Sequence, residues 1–351
     1  MPSLKPNAHL QSLEMMRAAA ACLIVCYHAC LFAERILGAT PLLGWYHGLQ
    51  LGVDSFFVLS GFILFWRHEQ DLGHPQRAGP YLRRRLIRIL PLLWLATLSK
   101  QALLVWNGEA LNMTRLVASL LLWPAKPQDP LITNAWSLSH ELLFYLLLLM
   151  GIILSRQVFA LLGLLWLGAV LVASATNLHP QGVLGMLCDN HNLAFAAGVG
   201  AAMLLRRQAL TRWQRSGCWL VAGIALSAAL VRFDASGGMD QNLAVRLLAA
   251  GGFALLIAAA VSADAGHWMA PRSLLLVGKA SYSIYLGHSL ILLPLVREWN
   301  RVFKPSPSAS TTLLVLPCAV ISILLCLLLW RFVEEPLLRR LRAGRQTRPS
   351  A

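Results

Sequence analysis

The run from about Leu13 to Phe32 is apolar over the length of a membrane crossing, and besides cysteines and Tyr27 its ionisable groups are Glu14, Arg17 and His28. Such a run must be buried in a large core or passed through lipid. Nine further runs of similar character follow, at about 47–66, 85–105, 136–154, 157–175, 189–205, 216–231, 243–262, 280–297 and 311–333. The 351 residues are 57% hydrophobic and 13% charged, with a mean hydropathy of +0.61. That charged share is near half of the ~25% usual in globular chains, which excludes a soluble domain. The expected fold class is all-α: a polytopic membrane protein with about ten transmembrane helices in one bundle. One domain is expected over 1–351, ending in a short basic tail at 334–351. A weaker run at 114–123 is too short to cross and reads as a re-entrant or interfacial piece. No cleavable signal peptide is expected, because the first run is long enough to span and lacks a small-residue cleavage site.

The net charge of +15 comes from arginines gathered between apolar runs, which points to membrane topology and not to nucleic acid. Arg67, Arg77, Arg83, Arg84, Arg85 and Arg88 follow the second run. Arg206, Arg207, Arg212 and Arg215 follow the sixth, and Arg339, Arg340, Arg342, Arg345 and Arg348 follow the tenth. The alternate loops are thinner, with Arg35, then Arg115 and Lys126, then Arg232, then Arg297, Arg301 and Lys304. Both termini are therefore expected in the cytoplasm, with the protein in a plasma membrane (bacterial inner membrane). The seven cysteines lie in or near apolar runs without a C-x-x-C pair, and they read as packing residues.

Arg17 and His28 are eleven positions apart, on one face of a helix and ~16 Å apart along its axis. His28 thus lies near mid-membrane, where an ionisable group marks a functional site by default. Under the expected topology Asp54 lies ~10 Å below the outer surface, Glu141 ~8 Å and Tyr145 ~14 Å. His288 lies ~14 Å from the cytoplasmic side, on one helical face with Ser281 and Tyr285. Each group also has a structural reading. His28 can bond a backbone carbonyl, Asp54 and Glu141 can pair with arginines, and the tyrosines can simply pack. The functional reading joins them. Arginines hold the phosphates of an anionic donor, a deeper histidine acts as general base, and a carboxylate fixes its tautomer. Acyl-CoA, with phosphates at one end and a thioester at the other, fits that separation. Tyr145, Ser281, Tyr285 and His288 form a possible acceptor site.

Six motifs then stand in order. These are the Arg17–His28 pair, LGVDSFFVLSGFIL at 51–64, YLRRRLIRILPLLW at 81–94, WSLSHELLFY at 136–145, SYSIYLGHSLIL at 281–292 and VEEPLLRR at 333–340. Together they resemble the acyltransferase-3 family of integral membrane O-acyltransferases, over nearly the whole chain. The resemblance implies transfer of an acyl group, most often acetyl, from cytoplasmic acyl-CoA to a hydroxyl of a glycan, glycolipid or similar lipid-linked saccharide. It implies His28 as the catalytic histidine, with Asp54 and Glu141 as the family's carboxylates. Arg17, Arg83, Arg84, Arg85 and Arg88 fall on the acyl-CoA side. No metal and no bound cofactor are implied, and no appended SGNH-type domain is expected. His140 departs from the usually apolar residue of its motif and receives no role. The rival from another class is a proton-coupled transporter or flippase of a glycan, which would use the same buried groups as a relay.

Overall fold

A computed structural model describes residues 10–124, 130–178, 180–236, 242–264, 270–303 and 311–343. Lys126, Lys304, Arg345 and Arg348, used above for topology, lie outside the described residues. Within them the chain forms helices and no strand. The first apolar run becomes α1 (Gln11–Leu37). It stops at Gly38, whose φ of +63° lets its N–H turn back to the Glu34 carbonyl. Then come α2 (Gly52–His68), α3 (Ala78–Trp106), α4 (Met113–Leu121), α5 (Trp136–Ile153), α6 (Arg156–Ala175) and α7 (Gly182–Leu187). The second half holds α8 (Asn192–Arg207), α9 (Arg212–Ala235), α10 (Leu243–Asp264), α11 (Arg272–Lys279), α12 (Ser281–Phe303), α13 (Thr311–Leu329) and α14 (Glu335–Ala343). A single π-helical turn, Trp330–Glu334, joins the last two.

Among the described residues, eight stretches are long and apolar enough to cross a membrane. The two other expected spans coincide with α8 and α12. Helix α8 has 16 residues, or ~24 Å of rise. Helix α12 is less apolar because its first turns, Ser281 to His288, face protein and are buried. Helix α4 has nine residues, too few to cross, as the short run suggested. One boundary moves with consequence. Helix α3 begins at Ala78, so Arg83, Arg84, Arg85 and Arg88 ride on its first turns and not in a loop.

Helix α2 is the interior element: 72% of its apolar window is buried, against 17% for α6 and for α9. Helices α6 and α9 therefore turn most of their apolar surface outward. Helix α2 packs on α1, α5, α8 and α10, while α1 also packs on α11, α12 and α13. The α2–α8 contact is a backbone contact. A Cβ on Gly198 would stand 2.1 Å from the Val58 carbonyl oxygen, and one on Gly61 would stand 2.2 Å from that of Phe195. Small residues at such crossings let helix axes approach where apolar burial alone gives no preference over lipid. A buried ion pair ties α2 to α10, with Arg246 Nη1 2.8 Å from Asp54 Oδ2 and the guanidinium over the Phe233 ring.

Two outcomes follow for stability. Gly198→Ala should lower the detergent unfolding midpoint by the equivalent of about 1–3 kcal/mol, whereas Gly200→Ala, which would meet nothing within 4 Å, should not. Asp54→Asn should cost about 3–5 kcal/mol by leaving Arg246 buried without its counter-charge, and the double change Asp54→Leu with Arg246→Met should recover most of it. Thermal unfolding of purified variants reads both.

Candidate functional site

Helix α1 carries His28 to the face of α12, where His288 waits. His28 Nδ1 lies 3.0 Å from the Ile24 carbonyl oxygen and 3.2 Å from His288 Nε2. His288 is fully buried, and its Nδ1 lies 2.8 Å from the Ile284 carbonyl oxygen. A carbonyl can only accept, so the neutral His288 ring carries its proton on Nδ1 and turns a lone pair toward His28. Both partners of His28 Nδ1 are then acceptors. The proton of the neutral His28 ring sits on Nδ1, and Nε2 is left as its basic nitrogen. The tautomer is thus set by α12 and by the carbonyl one turn back.

That assignment was expected of Asp54. The structure instead engages Asp54 with Arg246, and both side chains are almost fully buried. The reason is geometric: Asp54 faces α10, while the contact to the His28 ring comes from α12.

Glu141 occupies a different place again. Its Oε1 accepts from Ser60 Oγ at 3.0 Å and from the Tyr145 hydroxyl at 2.5 Å. It lines a chamber of about 140 Å³ with Arg17, Arg85, Arg88, Ser281, Tyr282 and Tyr285. Tyr145, Ser281 and Tyr285, read above as a possible acceptor site, therefore share one chamber with the arginines. His288 stands apart from them, against His28. The chamber's far wall is Tyr285, whose ring lies 6.3 Å from that of His288 and 5.6 Å from that of Phe56. Tyr285 is held by Asn134: its hydroxyl donates to the Asn134 carbonyl at 2.8 Å, and the Asn134 amide donates to the Tyr285 carbonyl.

The chamber's other end opens into a vestibule of about 580 Å³, the two sharing Arg17, Ile63, Arg85 and Arg88. Arg67, Arg83, Arg84, Lys279 and Arg342 complete its basic lining, and Glu14 is the carboxylate among them. Such a concave, one-signed lining focuses potential on an anion. Two of its arginines are aimed by buried groups. Arg88 pairs with Glu334, which also accepts from Ser283 Oγ at 2.5 Å. Glu334 is 1% exposed and sits in the π-helical turn, a feature frequent at functional sites. Arg85 Nη2 lies 3.2 Å from His68 Nε2, and His68 Nδ1 lies 2.7 Å from Asp71 Oδ2. Arginine can only donate, so His68 accepts on Nε2 and donates from Nδ1 to Asp71. Arg83 donates to the Leu341 carbonyl at 2.8 Å, which fastens α14 beside the vestibule.

Ser60, His68, Asp71, Arg246, Lys279 and Glu334 were not singled out from the sequence, and Arg342 was read there only as a mark of topology. Ser60 and Glu334 lie inside quoted motifs, so their neighbourhoods were flagged though their roles were not. His68 and Asp71 are three residues apart at the end of a helix, an ordinary surface pattern until α3 lays Arg85 across them.

Comparison with known proteins identifies the family. The chain matches the acyltransferase domain family over residues 10–331. It is 29% identical to the exopolysaccharide production protein ExoZ of Rhizobium meliloti (strain 1021), over 84% of this chain and 92% of that protein. It is 28% identical to the acyltransferase MdmB of Streptomyces mycarofaciens, over 88% of this chain and 86% of that one. No solved structure matches it. With a family match across nearly the whole chain and, among the described residues, eight helices fit to cross a membrane, the protein belongs to the acyltransferase domain family and is a multi-pass membrane acyltransferase.

Proposed function

We propose that this enzyme moves an acyl group, acetyl in the simplest case, from cytoplasmic acyl-CoA to a hydroxyl of a glycan or lipid-linked saccharide, with His28 as general base. One observation carries the reading: a polycationic vestibule narrows into a chamber along α1, the helix that bears both Arg17 and His28. The donor's phosphates take the vestibule arginines as charge-assisted partners. Its thin arm runs through the chamber past Arg17 and Glu141 toward Tyr285 and the histidines. The acceptor hydroxyl gives its proton to His28 Nε2 as its oxygen bonds the thioester carbonyl carbon. The C–S bond then breaks, and the departing thiolate takes the proton from the imidazolium. His288 keeps the reacting tautomer in place. Asp54, expected to do so, acts here as half of a structural ion pair, and Glu141 holds the chamber wall through Ser60 and Tyr145. The vestibule's arginines belong on the cytoplasmic side of a bacterial inner membrane, with both termini there. The relative named for exopolysaccharide production supports a saccharide acceptor.

Two experiments test this. Isothermal titration of CoA into purified protein in detergent should show tight, salt-sensitive binding. Arg84→Ala, Arg85→Ala or Arg342→Ala should each weaken it about tenfold or more, with transfer at saturating donor little changed. A protein that neither binds CoA nor consumes acetyl-CoA would instead favour a transporter. The second concerns His28. Removal of a general base costs about 10²–10⁴-fold in rate. His28→Gln, which keeps a hydrogen bond and much of the volume but takes no proton at neutral pH, should be as inactive as His28→Ala while binding CoA normally. Near-normal transfer by the glutamine variant would remove His28 from the chemistry.

A further inference from the structure

A second large cavity, of about 570 Å³, lies at the opposite end of the bundle from the vestibule. It is framed by α4 and the start of α5 on one side, and by the end of α6, α7 and the segment before α8 on the other. Its volume falls within the range of about 300–1,000 Å³ usual for small-ligand sites. The two cavities differ in charge. The vestibule is lined by eight cations, whereas this one holds Arg115 and Asp189 as its charged groups among the described residues. A polyphosphate has no counterpart there. The remaining lining combines a half-buried indole, Trp136, with hydrogen-bonding side chains from several elements, among them Gln50, Gln181, His140 and His191. Aromatic faces beside amide, imidazole and carboxylate groups are the chemistry that receives the apolar face and the hydroxyl rim of a sugar ring.

The polar groups are built in, not scattered. His140 and His191 are 5% and 4% exposed. His191 Nδ1 lies 2.7 Å from Asp189 Oδ1, and the Asp189 backbone turn returns the His191 N–H to the same oxygen at 2.9 Å. His140 Nδ1 lies 3.0 Å from Asn192 Oδ1, and its Nε2 lies 4.0 Å from Asp189 Oδ2. His191 thus holds Asp189 Oδ1 from both its backbone N–H and its ring, which fixes the carboxylate at the cavity wall as an acceptor for hydroxyl protons.

The cavity is also next to the donor chamber. Phe57 lines the chamber, and its ring meets Trp136 at 6.4 Å, His140 at 5.9 Å and His191 at 6.2 Å. Along α5, Trp136 and His140 face the outer cavity, while Ser137, Leu138 and Glu141 face the chamber. One layer of rings separates the two spaces.

We propose that this outer cavity is the acceptor site, that it takes a saccharide of low charge, and that Trp136, His140, Asp189 and His191 bind it beside the donor chamber. The inference rests on the acyl-CoA reading above and adds where the acceptor binds and what recognises it. It is tested with purified enzyme, radiolabelled acetyl-CoA and, as acceptor, the saccharide fraction extracted from a strain of the source organism lacking the gene. Trp136→Ala and Asp189→Asn should raise the acceptor concentration for half-maximal transfer about tenfold or more, with acetyl-CoA affinity held within about twofold. Gln181→Trp guards against misfolding: residue 181 is exposed at the rim, and an indole there should obstruct the cavity with the same effect. Unchanged acceptor dependence in all three variants would overturn the site. So would a matching loss of acetyl-CoA affinity, which would assign the cavity to the donor side or to stability. Transfer by the wild type to a saccharide-free lipid extract alone would overturn the saccharide class. A wild type that consumes no acetyl-CoA would show that the acyl-CoA reading itself had failed, and this inference with it.

Discussion

Charge inside this bundle has little water to turn to, and that cost organises the structure. Asp54 and Arg246 solve it by meeting each other between α2 and α10. Glu334 solves it with Arg88 and Ser283, and Glu141 with Ser60 and Tyr145. Each solution joins helices that are distant in the chain, so satisfying the charge also fixes which helices are neighbours. Breaking one partner leaves the other stranded, so removing a single member costs far more than replacing the whole pair with apolar groups.

The vestibule breaks the pattern. There cations face one another around an open space, with Glu14 as the carboxylate in the lining. Mutual repulsion among them is tolerable because that end meets solvent, and an arriving anion relieves it. Arg85 and Arg88 mark the border between the two regimes. Each has one side bound by buried groups, His68 with Asp71 or Glu334 with Ser283, and another facing the cavity. Donors aimed in advance lose less freedom when a ligand arrives, and an oriented donor converts binding into a near-unimolecular reaction.

Helix α1 supplies the ruler. Its eleven-residue separation of Arg17 from His28 sets ~16 Å along the axis between the basic vestibule and the histidine pair. A helix buried against α2, α11, α12 and α13 has little freedom to change that length. The histidine pair then works as a unit, because the ring that sets the His28 tautomer belongs to a different helix from the one that sets its depth.

Much of this was legible in the chain. Apolar runs of spanning length dictate helices, because lipid leaves the backbone no other way to satisfy its hydrogen bonds. The arginine clusters mark the polycationic end, and the helical period places Arg17, His28 and His288 at useful depths. Periodicity states depth and face, but not which face meets which. Asp54 looked like the partner of His28 because both lie deep, yet its counter-charge is 192 positions away on α10, and the group at His28 comes from 260 positions away on α12. Glu334 and His68 were unremarkable until a π-helical turn and the first turns of α3 set arginines against them. Local patterns follow from rules that act within a few residues. Partners across the bundle depend on which helices can approach closely, as Gly61 and Gly198 allow α2 and α8 to do, and that is a property of packing in three dimensions.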